Sequence, residues 1–373
     1  MDKIKILYVI DYLTTGGGTE NQLKALISHL DRERFEPFLV TLAPMKGWDG
    51  LPTYHDPGCE HICLGLRKIK HPKTIIDILR LSRLIKKRKF HIVQTFFVDA
   101  NIIGVISGLL GGCRSRVVSR RDLGFWYTPP LLSFLNRVNR LARYFLVNSE
   151  AVKEAVMEHE KIEVEKIRVI RNGVFDMPDE NRSKMRKADI GVPGDAPFVG
   201  IVANLREVKR IDNFIRVAAA LRHDNTHFMV IGVGPLKEDL LRQAREAYIG
   251  HRFHITHTLD NIYDYIKLFD VGVLTSDSEG LSNTLIEYQL SGIPAIAFDV
   301  GGNNEVIEQG NTGFLIKHGD LDEMRSKIDI LLDDEDLRAR LGHKARDIAR
   351  ARFAGERMIK ETAEFYEMIA GRR

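Results

Sequence analysis

A chain of 373 residues exceeds one ordinary hydrophobic core, so two α/β domains are the first expectation. Its 44% apolar and 28% charged residues are those of a soluble globular protein and exclude a disordered, collagen-like or coiled-coil chain. Net charge is only +4, but the segment from Arg67 to Arg143 is basic throughout, opposed only by Asp77, Asp99 and Asp122. Such a one-sided field favours an anionic partner.

In chain order, Ile4–Ile10 reads as a strand whose near-continuous apolar run suits burial on both faces. The run is too short for a signal-peptide core and no cleavage-like stretch follows, so a cytoplasmic location is expected. The next loop, Thr15–Glu20, carries Gly16, Gly17 and Gly18, which let main chain approach a phosphate or sugar. Turns need glycine anyway, so the loop alone says little. A dinucleotide fingerprint would need a third glycine at Asn21 and an acid closing the second strand near Leu42, and both are missing. A helix at Glu20–Leu30 leads to the strand Phe38–Leu42. Cys59, Cys63 and Cys113 lack the spacing of a zinc site and read as reduced thiols; no metal is expected.

Thr74–Lys89 has the period of a helix with Ile75, Ile78, Leu79, Ser82 and Ile85 inward and a cationic outer face. The stretch Ala100–Cys113 is uncharged but short of the roughly 20 residues that span a bilayer. After the strands His91–Thr95 and Arg116–Arg120 come Arg121 and Asp122. Arg121 could steady a donor or an acidic acceptor; Asp122 could orient a hydroxyl or pair with an arginine. Phe125, Trp126 and Tyr127 then precede Arg137, Arg140 and Arg143. Aromatics beside cations suit an anionic membrane surface, and a plain solvated helix face is the open alternative. No nucleic-acid motif is present.

Beyond the strand Phe145–Asn148, the polar, Gly- and Pro-bearing stretch Asp176–Pro197 reads as a linker. The strands Phe198–Ala203, His227–Gly232, Val271–Thr275, Pro294–Phe298 and Gly313–Ile316 follow, alternating with helical patterns such as Ile211–Leu221, Leu281–Leu290 and Met324–Leu332. That alternation implies parallel sheets covered by helices, with ligands beyond the carboxyl ends of the strands. The expected domains are 1–180, a linker at 181–197, 198–354, and an amphipathic helix at 355–373.

The most informative segment runs from Leu274 to Glu287. A strand ends near Thr275, a polar loop carries Glu279, and a helix is expected to start near Gly280 with Glu287 roughly 9 Å further along it at about 1.5 Å per residue. Amide groups at a helix start suit a diphosphate, and two carboxylates so spaced could hold hydroxyls of one extended ligand. Equally, Glu279 could serve only the helix N-terminus and Glu287 only solvent.

The run Ser276-x-x-Glu279-Gly280-Leu281-Ser282-Asn283-Thr284-Leu285-Ile286-Glu287-x-x-x-Ser291-Gly292-Ile293-Pro294 resembles the signature of the family-four retaining glycosyltransferases, which have the GT-B architecture. Phe298-Asp299-Val300-Gly301-Gly302, Asn172-Gly173-Val174 and Ile231-Gly232-x-Gly234-Pro235 continue the likeness over nearly the whole chain. The resemblance implies two Rossmann-like, doubly wound α/β domains facing across a cleft. It also implies retaining, metal-independent transfer of a sugar from a nucleotide diphosphate sugar to a saccharide or lipid-linked acceptor, in cell-surface polysaccharide or glycolipid synthesis. No cofactor beyond that co-substrate is implied. Glu279 would meet the donor sugar, Glu287 the ribose, and the amides of Gly280, Leu281 and Ser282 the diphosphate or sugar. Lys209 matches the family lysine that replaces a metal on the leaving group. The family arginine is Asn204 here, with Arg206 on the same loop as its substitute. Gly17 and Gly18 match the family's glycine loop, Gly234 lies in a matching turn, and Arg121–Asp122 stand near where many relatives carry a histidine. The implied place of action is the cytoplasm or the inner face of the plasma membrane. A nucleotide-sugar epimerase of the same architecture and a non-catalytic sugar-nucleotide or polysaccharide binder are the rivals.

Overall fold

The structure is a computed structural model and describes residues 2–14, 17–44, 56–66, 73–175, 185–257 and 262–371. The chain divides into two compact units, Met1–Phe175 with Gly355–Arg373, and Asp176–Ala354.

In the first unit the strands are β1 (Ile4–Ile10), β2 (Phe35–Thr41), β3 (Glu60–Cys63), β4 (Ile92–Phe96), β5 (Ser115–Arg120), β6 (Tyr144–Val147) and β7 (Ile167–Val169). They form a parallel sheet in the order β3-β2-β1-β4-β5-β6-β7, so the winding direction reverses between β1 and β4. The helices are α1 (Gly18–His29), α2 (Lys73–Arg88), α3 (Val98–Leu110), α4 (Pro129–Asn139) and α5 (Glu150–His159). The long uncharged stretch is α3, a helix buried within the unit. Glycines let it lie close to the sheet, since a Cβ at Gly104 would stand 2.5 Å from Thr95, and Gly111 at its end lets α2 approach, since a Cβ there would stand 2.7 Å from Ile85.

The face of α2 differs from expectation. Thr74, Asp77, Leu81, Ser82 and Ile85 are buried, whereas Ile75 and Leu79 are exposed, with Ile76 beside them. Close packing against α3, where Ser107 Oγ donates to the Ile78 carbonyl at 3.3 Å, sets which side of α2 faces inward.

The C-terminal helix (Gly355–Gly371) belongs to this first unit. Met358, Phe365, Tyr366 and Ile369 enter its core. Tyr366 donates its hydroxyl to Gln94 Oε1 on β4 and lies 3.2 Å from the Tyr8 hydroxyl on β1, while Ser115 Oγ donates to the Ile369 carbonyl at 2.8 Å. Among the described residues, no helix is long and apolar enough to cross a membrane.

The second unit has β8 (Phe198–Val202), β9 (His227–Ile231), β10 (Phe253–Thr256), β11 (Val271–Leu274), β12 (Ala295–Phe298) and β13 (Gly313–Ile316) in the parallel order β10-β9-β8-β11-β12-β13. Its helices are α6 (Ile211–Ala220), α7 (Lys237–Glu246), α8 (Ile262–Ile266), α9 (Asn283–Leu290), α10 (Leu321–Asp333) and α11 (Glu335–Arg352). Of the stretch 176–197 expected as a linker, residues 176–184 lie outside the described residues. The rest is tied to the second unit, since Lys187 Nζ donates to the Ala196 carbonyl at 2.8 Å and pairs with Asp270 at 3.0 Å.

Winding reverses between β8 and β11, and there the two strands part early. They pair only at Val199 with Val271 and Gly200 with Gly272. Rings fill the space that these glycines leave, because a Cβ at Gly200 would sit 2.0 Å from Phe269 and one at Gly272 2.5 Å from Tyr288. Val202, past the point of separation, has its N–H accepted by the Tyr288 hydroxyl at 2.7 Å and its carbonyl bonded by Thr284 Oγ1 at 3.0 Å. A buried backbone group left unpaired would cost stability, so α9 takes the place of the missing strand partner. This seats α9 at the carboxyl end of β8.

Candidate active site

In the second unit, three loops meet at the carboxyl ends of β8, β11 and β12. The loop after β8 is pressed against the one after β9: Leu205 N–H donates to the Val233 carbonyl at 2.9 Å. A Cβ at Gly232 would meet the Ala203 carbonyl oxygen at 1.9 Å, and one at Gly234 would meet that of Leu205 at 2.5 Å. Both glycines are therefore required by close backbone approach. Asn204 is half-buried on this loop, and Arg206 is exposed at the start of a short 3-10 turn, Glu207–Lys209.

Lys209 ends that turn, and its Nζ lies 2.6 Å from Glu279 Oε1. The pair is held from both sides. Thr275 Oγ1 donates to the Lys209 carbonyl at 3.0 Å, Asp277 N–H to the Val208 carbonyl at 2.9 Å, and Gly302 N–H to the Glu279 carbonyl at 3.3 Å. Arg210 next to it adopts a left-handed conformation, φ 45°. Its guanidinium pairs with Asp212 at 2.9 Å and Asp277 at 3.4 Å, and His318 Nε2 approaches Asp277 at 3.0 Å. Asp277, Arg210 and Asp212 were not singled out from the sequence. Their signal was proximity, since Arg210 adjoins Lys209 and Asp277 lies two residues before Glu279.

The helix start differs from expectation: α9 begins at Asn283, three residues later than Gly280, with Ser282 as its N-cap accepting from Leu285 N–H at 3.3 Å. Gly280, Leu281 and Ser282 form the buried approach to that helix. The separation of the two glutamates along one helix axis therefore does not apply. Glu287 is half-buried, not solvated, and its carboxylate takes no hydrogen bond or ion pair from the described residues. Burial pushes its pKa from 4.5 up to about 7. A carboxylate held in such surroundings is suited to accepting hydrogen bonds from hydroxyls of a ligand.

The remaining expected residues lie in the first unit. Gly17 caps α1 and Gly18 begins it; Thr15 and Gly16 of the same loop lie outside the described residues. A Cβ at Gly17 would meet the Glu20 carboxylate at 2.0 Å, and Glu20 accepts from Thr14 Oγ1 at 3.1 Å. Gly17 thus makes room for Glu20. Arg121 follows β5, and its Nη1 donates to Asn172 Oδ1 at 2.6 Å. Asp122 accepts from Gly124 N–H at 2.8 Å and makes no ion pair with Arg121. Both residues line a small cavity together with Phe97, Thr19, Trp126 and Tyr127. At the end of β1, Asp11 also escaped the sequence reading: its carboxylate accepts from Ala100 N–H at 2.6 Å, and burial raises its pKa to about 7.

Among the described residues, no group of three or more His, Cys, Asp and Glu side chains could hold a metal ion. Of the expected site residues, Lys209 and Glu279 are brought into direct contact, and Asn204, Arg206, Gly234, Gly280, Leu281 and Ser282 lie on loops that follow strands of the same sheet, whereas Gly17, Gly18, Arg121 and Asp122 belong to the first unit.

Comparison with known proteins identifies the family and the fold. Residues 183–348 match the model of Glycosyl transferases group 1, and residues 16–175 match that of Glycosyltransferase Family 4. The chain is 26% identical to N-acetyl-alpha-D-glucosaminyl L-malate synthase of Bacillus anthracis over 48% of each chain, so that match spans about half of the relative. It is 23% identical to the capsular polysaccharide biosynthesis glycosyltransferase CapM of Staphylococcus aureus, over 84% of this chain and 86% of that one. The fold is that of Anabaena HepE in complex with UDP-glucose, with a TM-score of 0.83 at 19% identity, covering 98% of this chain and 99% of that one. Two Rossmann-like units and matches to both family models place this chain among the family-four glycosyltransferases of GT-B architecture.

Proposed function

We propose that this chain is a retaining, metal-independent glycosyltransferase that moves a sugar from a nucleotide diphosphate sugar onto a saccharide or lipid-linked acceptor in cell-surface polysaccharide or glycolipid synthesis. The observation that carries the reading is the Lys209–Glu279 pair at the point where the second sheet reverses its winding, beside the start of α9. In this mechanism the ammonium of Lys209 leaves Glu279 to meet the β-phosphate as the glycosidic C–O bond lengthens. The amides from Gly280 to Ser282 share that developing charge. Glu279, released, accepts hydrogen bonds from hydroxyls of the donor sugar, and Glu287 from the ribose. The acceptor hydroxyl attacks from the face that the leaving group vacates and passes its proton to the departing diphosphate oxygen, so the anomeric configuration is kept. Support also comes from what related proteins are named for: capsular polysaccharide synthesis in CapM, and bound UDP-glucose in HepE.

The test is incubation of purified protein with a panel of nucleotide sugars and saccharide acceptors, with products read by NMR for anomeric configuration. Transfer with retention, unchanged by excess EDTA, is the expected result. An inverted product or loss of turnover on chelation overturns the corresponding part. Isomerised donor in the absence of acceptor favours the epimerase reading, and donor binding without transfer to any acceptor favours the non-catalytic one.

A cytoplasmic place of action at an anionic membrane surface is part of this proposal. On α2, Ile75, Ile76 and Leu79 are exposed alongside Arg80, Arg83, Lys86 and Lys87, a cationic face with apolar side chains. Co-sedimentation with vesicles containing anionic lipid, but not with neutral ones, is expected.

A further inference from the structure

Neighbouring arginines at the end of β5 are treated oppositely by the fold. Arg120 is buried and fully compensated: its Nε and Nη2 meet the two oxygens of Glu160 at 2.7 and 2.8 Å, and Asn139 also donates to Glu160. Arg121 has no such counter-charge. Its partners are the neutral amide of Asn172 and the face of Phe96, whose ring centre is 5.9 Å away. Its Nε is sealed from solvent without a hydrogen bond, and no carboxylate pairs with it among the described residues. Asp122, the nearest acid in sequence, is turned onto Gly124 N–H. Burial accordingly lowers the Arg121 pKa to about 10.

A half-buried cation whose Nε is sealed from solvent and which meets no anion is costly, and folds that keep one without compensation are expected to do so for a ligand. The surroundings agree. Asn172, which orients the guanidinium, precedes Gly173, and the side-chain amide of Gln22 on α1 clamps Gly173 through both its N–H and its carbonyl at 3.0 and 2.9 Å. Phe97, another wall of the cavity, is held at φ 67°, ψ 173°, a region that nearly all residues but glycine avoid. Trp126 offers a partly exposed ring on which a sugar can lie.

We propose that the cavity beside Arg121 is an acceptor subsite for an anionic group, carboxylate or phosphate, with Arg121 as its counter-ion and Trp126 as its stacking surface. This rests on the glycosyltransferase reading above but is separable from it.

The experiment uses the full chain saturated with UDP. Methyl β-glucuronide, glycerol 3-phosphate and the neutral control methyl β-glucoside are titrated into the wild type, Arg121→Gln and Arg121→Lys, and each variant is also titrated with UDP alone. In the wild type at least one anion binds tenfold or more tighter than the glucoside, and which one does identifies carboxylate or phosphate. The gap shrinks below twofold in Arg121→Gln and is partly kept in Arg121→Lys, while UDP affinity stays within twofold. Arg121→Gln also melts at or above the wild-type temperature, because it relieves an uncompensated charge. Equal binding of all three compounds by the wild type overturns the proposal. So does a tenfold loss of UDP affinity in Arg121→Gln, which would assign the guanidinium to the donor. Melting several degrees lower without an anion preference would mark Arg121 as structural. Failure of the wild type to bind any nucleoside diphosphate overturns the glycosyltransferase reading instead.

Discussion

Lys209→Met removes the cation 2.6 Å from Glu279 while keeping most of the aliphatic stem. The Glu279 side chain is 10% exposed, so the variant leaves a largely desolvated carboxylate without its ionic partner. Such an orphaned group costs about 1–3 kcal/mol. In a unit of this size that lowers the melting midpoint by roughly 2–4 °C per kcal/mol. The catalytic loss is expected to be larger. A cation that strengthens its contact only as the diphosphate departs is worth about 10²–10³ in kcat, roughly 2.7–4 kcal/mol. Two measurements separate these effects: calorimetric melting, and nucleoside diphosphate release at saturating donor and acceptor. The melting point should fall by a few degrees and kcat at least a hundredfold, with a much smaller change in donor KM. A protein that melts lower yet turns over within threefold of the wild type would refute the argument and leave the pair a structural bridge.

Three other substitutions test the framework. The Glu287 carboxyl is raised from 4.5 to about 7 in the folded chain, so the folded state keeps a proton that the unfolded state has lost. Stability should therefore fall as pH rises through that interval and level off above it, and Glu287→Gln should show a shallower slope in denaturant titrations at several pH values, the remainder including the share of Asp11. Since the ionised form accepts ribose hydroxyls better, calorimetric affinity for a nucleoside diphosphate should rise more steeply through about pH 7 in the wild type than in Glu287→Gln, where only the ligand's own phosphate ionisation contributes. Tyr366→Phe deletes a buried hydroxyl that serves Gln94 and Tyr8. It should cost about 1–3 kcal/mol in urea unfolding of the first unit. Gly232→Ala places a Cβ 1.9 Å from the Ala203 carbonyl oxygen, which is backbone and cannot step aside. The resulting shift of the Asn204 loop should cost about 1–3 kcal/mol and weaken donor binding measurably.

Legibility in the sequence followed burial. β1 has the bounds that its apolar run predicts, because a central strand covered on both faces carries almost no polar residues. The edge strands β3, β7 and β10, with sequences EHIC, IRV and FHIT, gave no comparable signal. An edge strand has one neighbour and partial exposure, so polar residues are tolerated there. α3 was noted only as an uncharged stretch, since a helix covered by other layers loses the amphipathic period that identifies a helix. On α2 the period was visible but the buried face was not, because packing against α3, with Gly111 just past its end lying on Ile85 and Ser82, decides which side turns inward.

The sequence by itself determined the α/β alternation, the family signature around Glu279 and Glu287, and the residue types at the candidate donor site. These are local properties: apolar runs, spacings along one loop and helix, and glycine where backbone must pass close to backbone. Tertiary structure alone decided that Lys209 meets Glu279, seventy residues further along the chain. It also decided that α9 supplies the hydrogen bonds β11 withholds from Val202, that Glu287 is withdrawn from water, and that Arg120 has a counter-ion while Arg121 does not. Each depends on which distant groups share a low-dielectric space, and a one-dimensional spacing carries no record of that.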